Sequence, residues 1–469
     1  MKNKMIIRQI GVIMIGLCLP LAVIAQTSSQ NYIKTTTYTN YTNEKASDSL
    51  VTIGYFDGLG RPFETVQKGI TPAKADLIAY QEYDAFGRES NAWLPAVASG
   101  NNGAYMTLAT YQSKVATTYN STTYNTAADS KPYSYPVYEP SPLNLVTEQY
   151  GPGADWQTNG KSVKTGYLTN KAKTGTDWVD ADSLVCGKYI TNDATKTVSL
   201  YRTDNYAANE LYVTRSMDED GNRSYEFKDK LGQVLLTRQI NAGKSFDTNY
   251  IYDSYGNLRA VLPPEASDRL LSATSTATWS ETNTDLKLYA YLYNYDSRRR
   301  CIAKKLPGCE WIYYVYDTAD RLIFTQDGEN RKAGVWQFSI PDAFGRIVLT
   351  GTCKNSYTYS ADPLKNIVVK GAYNASRTNL ANSYTFSGIS TPTNMVILTA
   401  NFYDKYDFMG IPEAPNNADT QYNAESGYGA RYTGSQGMLT GTLTAQMNPD
   451  GTISSTYLYS VMYYGAVNK

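Results

Sequence analysis

The stretch YDAFGRES, Tyr83 to Ser90, has two close copies in the chain: YFDGLGRPFE from Tyr55 and PDAFGRIVL from Pro341. Each reads as aromatic or apolar residue, Asp, two free positions, Gly, Arg, then a further apolar run. Asp suits the first position of a type I turn, because its carboxylate accepts the backbone N–H groups ahead of it. Gly three residues on takes a positive φ without strain. A type I turn closed by a left-handed glycine is a common hairpin connection with a bulge. The flanking residues are then two antiparallel strands, and Arg keeps the corner solvated within reach of the Asp. Asp57, Gly60 and Arg61, Asp84, Gly87 and Arg88, Asp253 and Gly256, and Asp342, Gly345 and Arg346 are thereby read as structural turn residues.

The same grammar recurs in YEFKDKLGQVLLT from Tyr225, YIYDSYGNLRAVL from Tyr250, YNYDSRRRCIAKK from Tyr293, VYDTADRLIFTQDG from Val315 and YDKYDFMGIPE from Tyr403. Arg299 and the pair Ala319/Asp320 stand where other copies carry Gly. An active site normally occurs once, whereas this signature recurs, as a building unit does. Short strands separated by turn signals every dozen residues or so indicate an all-β architecture of antiparallel hairpins. The best helix candidate is AYMTLATYQSKVATTYN, from Ala104. The prolines and glycines of YPVYEPSPLNLVTEQYGPGADWQ, from Tyr135, predict a strand bounded by turns.

Of 469 residues, 43 are Tyr and only 11 are Phe. Tyr joins a large apolar ring to a water-tolerant hydroxyl, which suits half-wet sheet faces. The 43 basic residues balance the 43 acidic ones, so no basic surplus exists to grip nucleic acid. Histidine is absent, which removes the commonest general base and metal ligand. Ser-His-Asp and Cys-His catalysis and His-based zinc sites are excluded with it. No phosphate loop of the GxxxxGK[ST] kind is present. DEDGN from Asp218 and NPDGTI from Asn448 echo calcium loops, but Tyr457 stands where the second would need its bidentate Glu. Both read as Asp-Gly hairpin turns. The chain is therefore read as a non-enzyme with no cofactor and no metal.

Residues 1–25 resemble an export signal. Lys2, Lys4 and Arg8 precede an apolar run, Ile10 to Ile24, that is short for a membrane span, and Val23 and Ala25 fit the small residues before a cut. No later segment is apolar enough to span a bilayer, so the mature chain, from Gln26, is expected to be secreted or at the cell surface. Cys186, Cys301, Cys309 and Cys353 remain after cleavage. Cys301 and Cys309 flank a turn and are a candidate disulfide between neighbouring strands, with four free buried thiols as the alternative. Composition suggests a β-rich domain over residues 26–180 and a repeat region over 181–469.

The motifs YFDGLGRP, YDAFGRES, YIYDSYGNL and YVYDTADRLIFTQDG resemble the YD repeats of secreted bacterial rearrangement-hotspot (RHS) proteins. The stretch that includes YFDGLGRPFETVQKG and VYEPSPLN…YGPGADWQ resembles the N-terminal domain opening many of those chains. The resemblance implies a curved β-wall, part of a shell that encloses or presents another polypeptide. The sequence stops at Lys469, just after YLYSVMYYGAV, without the family's self-cleaving core or toxin tail, and is expected to be the front part of a longer protein, a truncated copy or one piece of a split gene. The resemblance therefore implies a partner: the continuation of the chain, or a downstream-encoded RHS polypeptide. The alternative is an adhesin that stacks cell-surface glycans on exposed Tyr and Trp, with Trp93 and Trp311 as candidates. Against it, most of the Tyr alternate along strands beside turns, as cross-strand ladders require.

Overall fold

The computed structural model describes residues 30–42, 45–119, 129–172, 184–193, 196–271, 278–414, 434–449 and 452–464. The export segment 1–25, Trp178 and the second Asp-Gly turn, Asp450–Gly451, lie outside the described residues. The fold is all-β and its strands pair antiparallel. The chain divides into two compact units, residues 1–164 and 165–469. The division falls inside the strand Ser162–Thr169, upstream of the residue-180 boundary suggested by composition.

In the first unit, strands follow one another across the sheet in chain order. Asn31–Thr42 pairs with Lys45–Phe56, which pairs with Pro62–Lys68, then Asp76–Tyr83, Glu89–Ala98, Tyr133–Tyr138 and Val146–Tyr150. Period-two alternation turns Ile53, Tyr55, Val66, Ile78, Ala96 and Ala98 to one buried face. The helix Leu108–Thr118 covers that face with Tyr111 and Val115, which its four-residue spacing brings together. Thr107 caps the helix by accepting the Thr110 N–H, and the Tyr111 hydroxyl donates to the carbonyls of Ile78 and Leu94 at 3.0 and 2.7 Å. Two buried carboxyls fasten the segment before the helix. Glu64 accepts the Met106 N–H, and Asp76 accepts those of Gly69 and Gly103 at 2.8 and 2.6 Å.

In the second unit the strands from Tyr212–Met217 to Ile453–Val461 also pair in chain order. Two excursions leave this meander and return to cover it. One carries the helices Pro264–Leu271 and Thr284–Tyr289 and the strand Thr278–Ser280, which joins Ser199–Asn205 and Gly187–Thr191 in a small sheet. Its Trp279 and Leu286 pack on Ile251, Ala260 and Leu292. The other excursion contains the hairpin Lys370–Tyr373/Tyr384–Ser387, whose surroundings place Leu364, Val369 and Leu380 on Phe324, Phe338 and Ile340. The helices Pro264–Leu271 and Thr284–Tyr289, of eight and six residues, are too short to show a period in the sequence.

Two expectations are corrected. The segment from Tyr135 forms the strands Tyr133–Tyr138 and Val146–Tyr150, but it ends in a helical turn, Ala154–Thr158. The glycines stop at Gly153, and Asp129 Oδ1 accepts the Ala154 N–H at 2.9 Å to start it. Cys301 and Cys309 are free thiols. Cys301 opens the strand Cys301–Lys305, opposite Tyr295, whereas Cys309 lies in the turn beyond its far end. The length of the strand separates them, so they do not face each other across neighbouring strands.

Candidate functional site: the repeated turn

One hydrogen-bond pattern is repeated in the turns that begin at Asp57, Asp84, Asp218, Asp229, Asp253, Asp296, Asp317 and Asp342. The aspartate N–H donates to the carbonyl four residues on, and its carbonyl accepts the N–H three residues on. Its Oδ1 accepts two more N–H groups, from the second and fourth residues after it. The third residue bends the chain with a positive φ: 79° at Gly60, 81° at Gly87, 81° at Gly256 and 84° at Gly345. Arg299 and Asp320 hold the same corner at 62° without glycine, a strain of about 1 kcal/mol. A bulge precedes the corner, as between Tyr55 and Phe56 or Ile340 and Pro341.

The remaining carboxylate oxygen, Oδ2, usually bonds the fourth residue. The Nε atoms of Arg61, Arg88, Arg300 and Arg346 reach it at 2.7, 2.7, 2.7 and 2.6 Å, and the amides of Asn222 and Asn257 do so at 2.8 and 2.9 Å. The Arg61 N–H holds the Asp57 carboxyl below its usual range, and the Asn222 amide does the same for Asp218. A carboxylate kept ionised with its lone pairs engaged is a fastening point and a poor proton donor.

The tyrosine of the motif belongs physically to the preceding repeat. The guanidinium of Arg61 lies 4.5 Å from the ring centre of Tyr83, Arg88 4.2 Å from Tyr138, Arg300 4.9 Å from Tyr316 and Arg346 4.3 Å from Tyr403. In return the hydroxyls of Tyr83, Tyr138 and Tyr295 donate to the carbonyls of Pro62, Glu89 and Leu258, at 2.8, 3.0 and 3.0 Å. Each acceptor directly follows the last residue of the earlier turn. Arg300 also donates to the Asp317 carbonyl at 2.9 Å. The corners at Asp57, Asp253, Asp296, Asp317 and Asp342 are thus each clamped to the next one in the same unit. Sequence spacing reveals the Asp–Gly geometry but not this hand-over, because the partners are about two strands apart in the chain.

The copy at Tyr403 forms no tight turn, contrary to its reading as another repeat. Asp404 keeps its place: its N–H donates to the Met438 carbonyl at 3.0 Å, and its Oδ1 accepts the Gly437 N–H at 2.6 Å. Gly437 has the corner's positive φ, 80°, and Tyr403 pairs with Leu439. Ser435 to Met438 therefore supply the other four turn positions, and residues 405–434 are inserted between the first position and the second. Arg346 grips the Asp404 carboxylate with both terminal nitrogens, at 3.1 and 2.9 Å.

Trp93 and Trp311 are half-buried in the walls. Trp93 Nε1 donates to Glu82 Oε1 at 2.5 Å, and its ring lies 4.7 Å from that of Tyr133. Trp311 packs against the cluster around Leu262 and Leu292. Trp156, on the helical turn Ala154–Thr158, is 48% exposed, and the sequence reading did not choose it as a site.

The clamp can be tested at its glycines. A Cβ on Gly87 would lie 2.7 Å from Arg61 Nη1, whereas one on Gly345 meets nothing within 4 Å. Both residues have positive φ, so each alanine substitution should cost about 1–2 kcal/mol. Gly87→Ala should cost more because it also displaces Arg61 from Tyr83. Urea midpoints of the two variants check this; equal losses would count against the clamp.

Residues 28–169 match a family described as Domain of unknown function (DUF6443). No curated protein matches. Among solved structures the chain is similar to a TcdB2-TccC3-Cdc42 crystal structure, at 12% identity and a TM-score of 0.41 over 86% of this chain and 17% of that chain. It is also similar to the Photorhabdus luminescens Tc holotoxin pore, at 12% identity and a TM-score of 0.42 over 90% of this chain and 18% of that one. This chain thus spans less than a fifth of the length of either.

Proposed function

We propose that this protein is an exported, non-catalytic scaffold of the RHS type, whose β-wall is extended by a further polypeptide and encloses or presents a partner. The observation that carries the reading is the corner-to-corner clamp, in which one hairpin offers a seat to the next. The seat recurs at the last described residues. Tyr464 Oη donates to the Leu439 carbonyl at 2.6 Å, the bond that Tyr83 makes to Pro62. Among the described residues the strand Ile453–Val461 pairs only with Leu439–Met447, so its other edge offers free backbone groups. Tyr464 would orient an incoming strand at that edge. The incoming polypeptide is the continuation of this chain or a separately encoded RHS segment. The absence of histidine and the engagement of the turn carboxylates support a structural task over a chemical one.

The test is light scattering on the mature chain, alone and mixed with a polypeptide of further YD repeats. Association is expected, and Tyr464→Phe should weaken it by up to about tenfold, as the loss of one half-buried hydrogen bond does. A monodisperse monomer that ignores the added repeats would overturn the proposal.

A further inference from the structure

The turn at Asp229 departs from its siblings. In the corners at Asp57, Asp296 and Asp342 the fourth residue is an arginine that makes two contacts at once. Its Nε bonds the aspartate Oδ2 at 2.7, 2.7 and 2.6 Å, and its guanidinium lies 4.5, 4.9 and 4.3 Å from the ring of the tyrosine that precedes the next corner. After Asp229 the fourth residue is Gln233, and the tyrosine before the next corner is Tyr252. Oδ1 of Asp229 holds the N–H groups of Leu231 and Gln233 in the usual way. Among the described residues no donor reaches its Oδ2, and no cation lies over the Tyr252 ring. Gln233 Nε2 extends over the next corner, 3.1 Å from where a Cβ on Gly256 would stand. The carboxylate and the ring of a clamp are thus both present, and the chain supplies no guanidinium to join them. Between them lies a cleft of about 140 Å³, bordered by Asp229, Gln233 and Tyr252 and lined further by Tyr206 and Tyr250. On the same measure one water needs about 10–15 Å³, so the cleft has room for a side chain. These five residues are half-buried, so an entering group can reach them.

We propose that this cleft takes an arginine side chain from another polypeptide, which completes the clamp in trans. The entering guanidinium donates to Asp229 Oδ2 and to Gln233 Oε1, and lays its flat face on the Tyr252 ring, as Arg61 lies on Tyr83 within this chain. Two cations already stand on the small-sheet wall. Lys188 Nζ lies 5.4 Å from the Tyr206 ring centre, and the Arg202 guanidinium lies 5.8 Å from that of Tyr189 and donates to Asn205 Oδ1 at 2.8 Å. Neither makes an ion pair with Asp229 among the described residues, so the carboxylate is left to a guest. Their charge nevertheless opposes a second guanidinium and keeps a single contact weak. The site goes beyond the scaffold proposal and stands independently of it, since it depends neither on Tyr464 nor on a strand added at the open edge.

The experiment is calorimetric titration of the full mature chain with N-acetylarginine amide, whose capped ends present the side chain as a polypeptide does. Saturable binding is expected at about millimolar affinity, as suits one small group. N-acetyllysine amide should bind about tenfold more weakly, because an ammonium lacks the planar fork and the flat face. Asp229→Asn keeps an Oδ1 acceptor for the turn and should weaken binding about tenfold. Gln233→Arg supplies the guanidinium in cis. It should abolish binding and raise the urea midpoint of the second unit, so the test survives if the first variant misfolds. Tyr464→Phe should bind the capped arginine as the parent does, which keeps this outcome apart from that of the added strand. No saturable binding would overturn the inference. So would lysine bound as tightly as arginine, free arginine bound in preference to the capped residue, or binding lost in Tyr464→Phe. Binding unchanged in folded Asp229→Asn, or a Gln233→Arg chain that still binds or loses stability, would overturn it equally.

Discussion

Asp247→Ala should lower the stability of the second unit by about 3–5 kcal/mol, a large share of what holds an ordinary domain together. Asp247 and Arg238 face each other across the hairpin of Val234–Asn241 and Lys244–Tyr252. Two parallel bonds join them, at 2.7 and 2.6 Å, and their side chains are only 9% and 4% exposed. Removing the carboxylate takes two bonds from a buried guanidinium beside Phe227, where little water can replace them. The double variant Arg238→Met/Asp247→Leu removes both charges and should lie within about 1 kcal/mol of the parent, or above it. Urea midpoints of parent, single and double variants measure the contrast. A single variant as stable as the parent would show that the pair is not the buried clasp described.

The second large effect depends on pH. Burial pushes the Glu64 carboxyl up to about 8, opposed only in part by its bond from the Met106 N–H. The folded chain therefore keeps a proton that the unfolded chain, with an ordinary carboxyl near 4.5, releases earlier. This raised value stabilises the folded state fully below the unfolded pKa. The contribution falls as pH rises through the interval and is gone once pH passes the folded value. The first unit should accordingly lose a few kcal/mol between about pH 5 and about pH 8. Glu64→Gln cannot ionise and should flatten that slope, being more stable than the parent at the alkaline end. Urea titrations at both ends decide it; parallel slopes in parent and variant would refute the assignment.

What the sequence displays, and what it hides, follows from distance along the chain. The Asp–Gly corner is legible at Tyr83–Ser90 because all its bonds close within five residues. The helix Leu108–Thr118 is legible because Tyr111 and Val115 carry its period. Glu64 gives no such signal: its partner, Met106, lies 42 residues away. Lys305 is similar, for its buried ammonium donates to the carbonyls of Lys287 and Cys309, both at 2.7 Å. The hand-over from Arg61 to Tyr83 is written in the motif, yet a single copy gives no hint that its tyrosine answers to another copy's arginine. The open carboxylate at Asp229 was visible only as Gln233 replacing Arg or Asn. That change means nothing until the other corners show what the fourth residue does.

The corner divided between Asp404 and Ser435 shows that register across these hairpins is written at their two ends and needs nothing from the loop length. The chain thus leaves after the first turn residue and returns at Ser435, while the strands Thr393–Tyr403 and Leu439–Met447 stay paired. Asp404 itself takes a left-handed φ of 71°, so it is this first residue that turns the chain outward while Gly437 and Met438 bring it back to the same carboxylate and N–H.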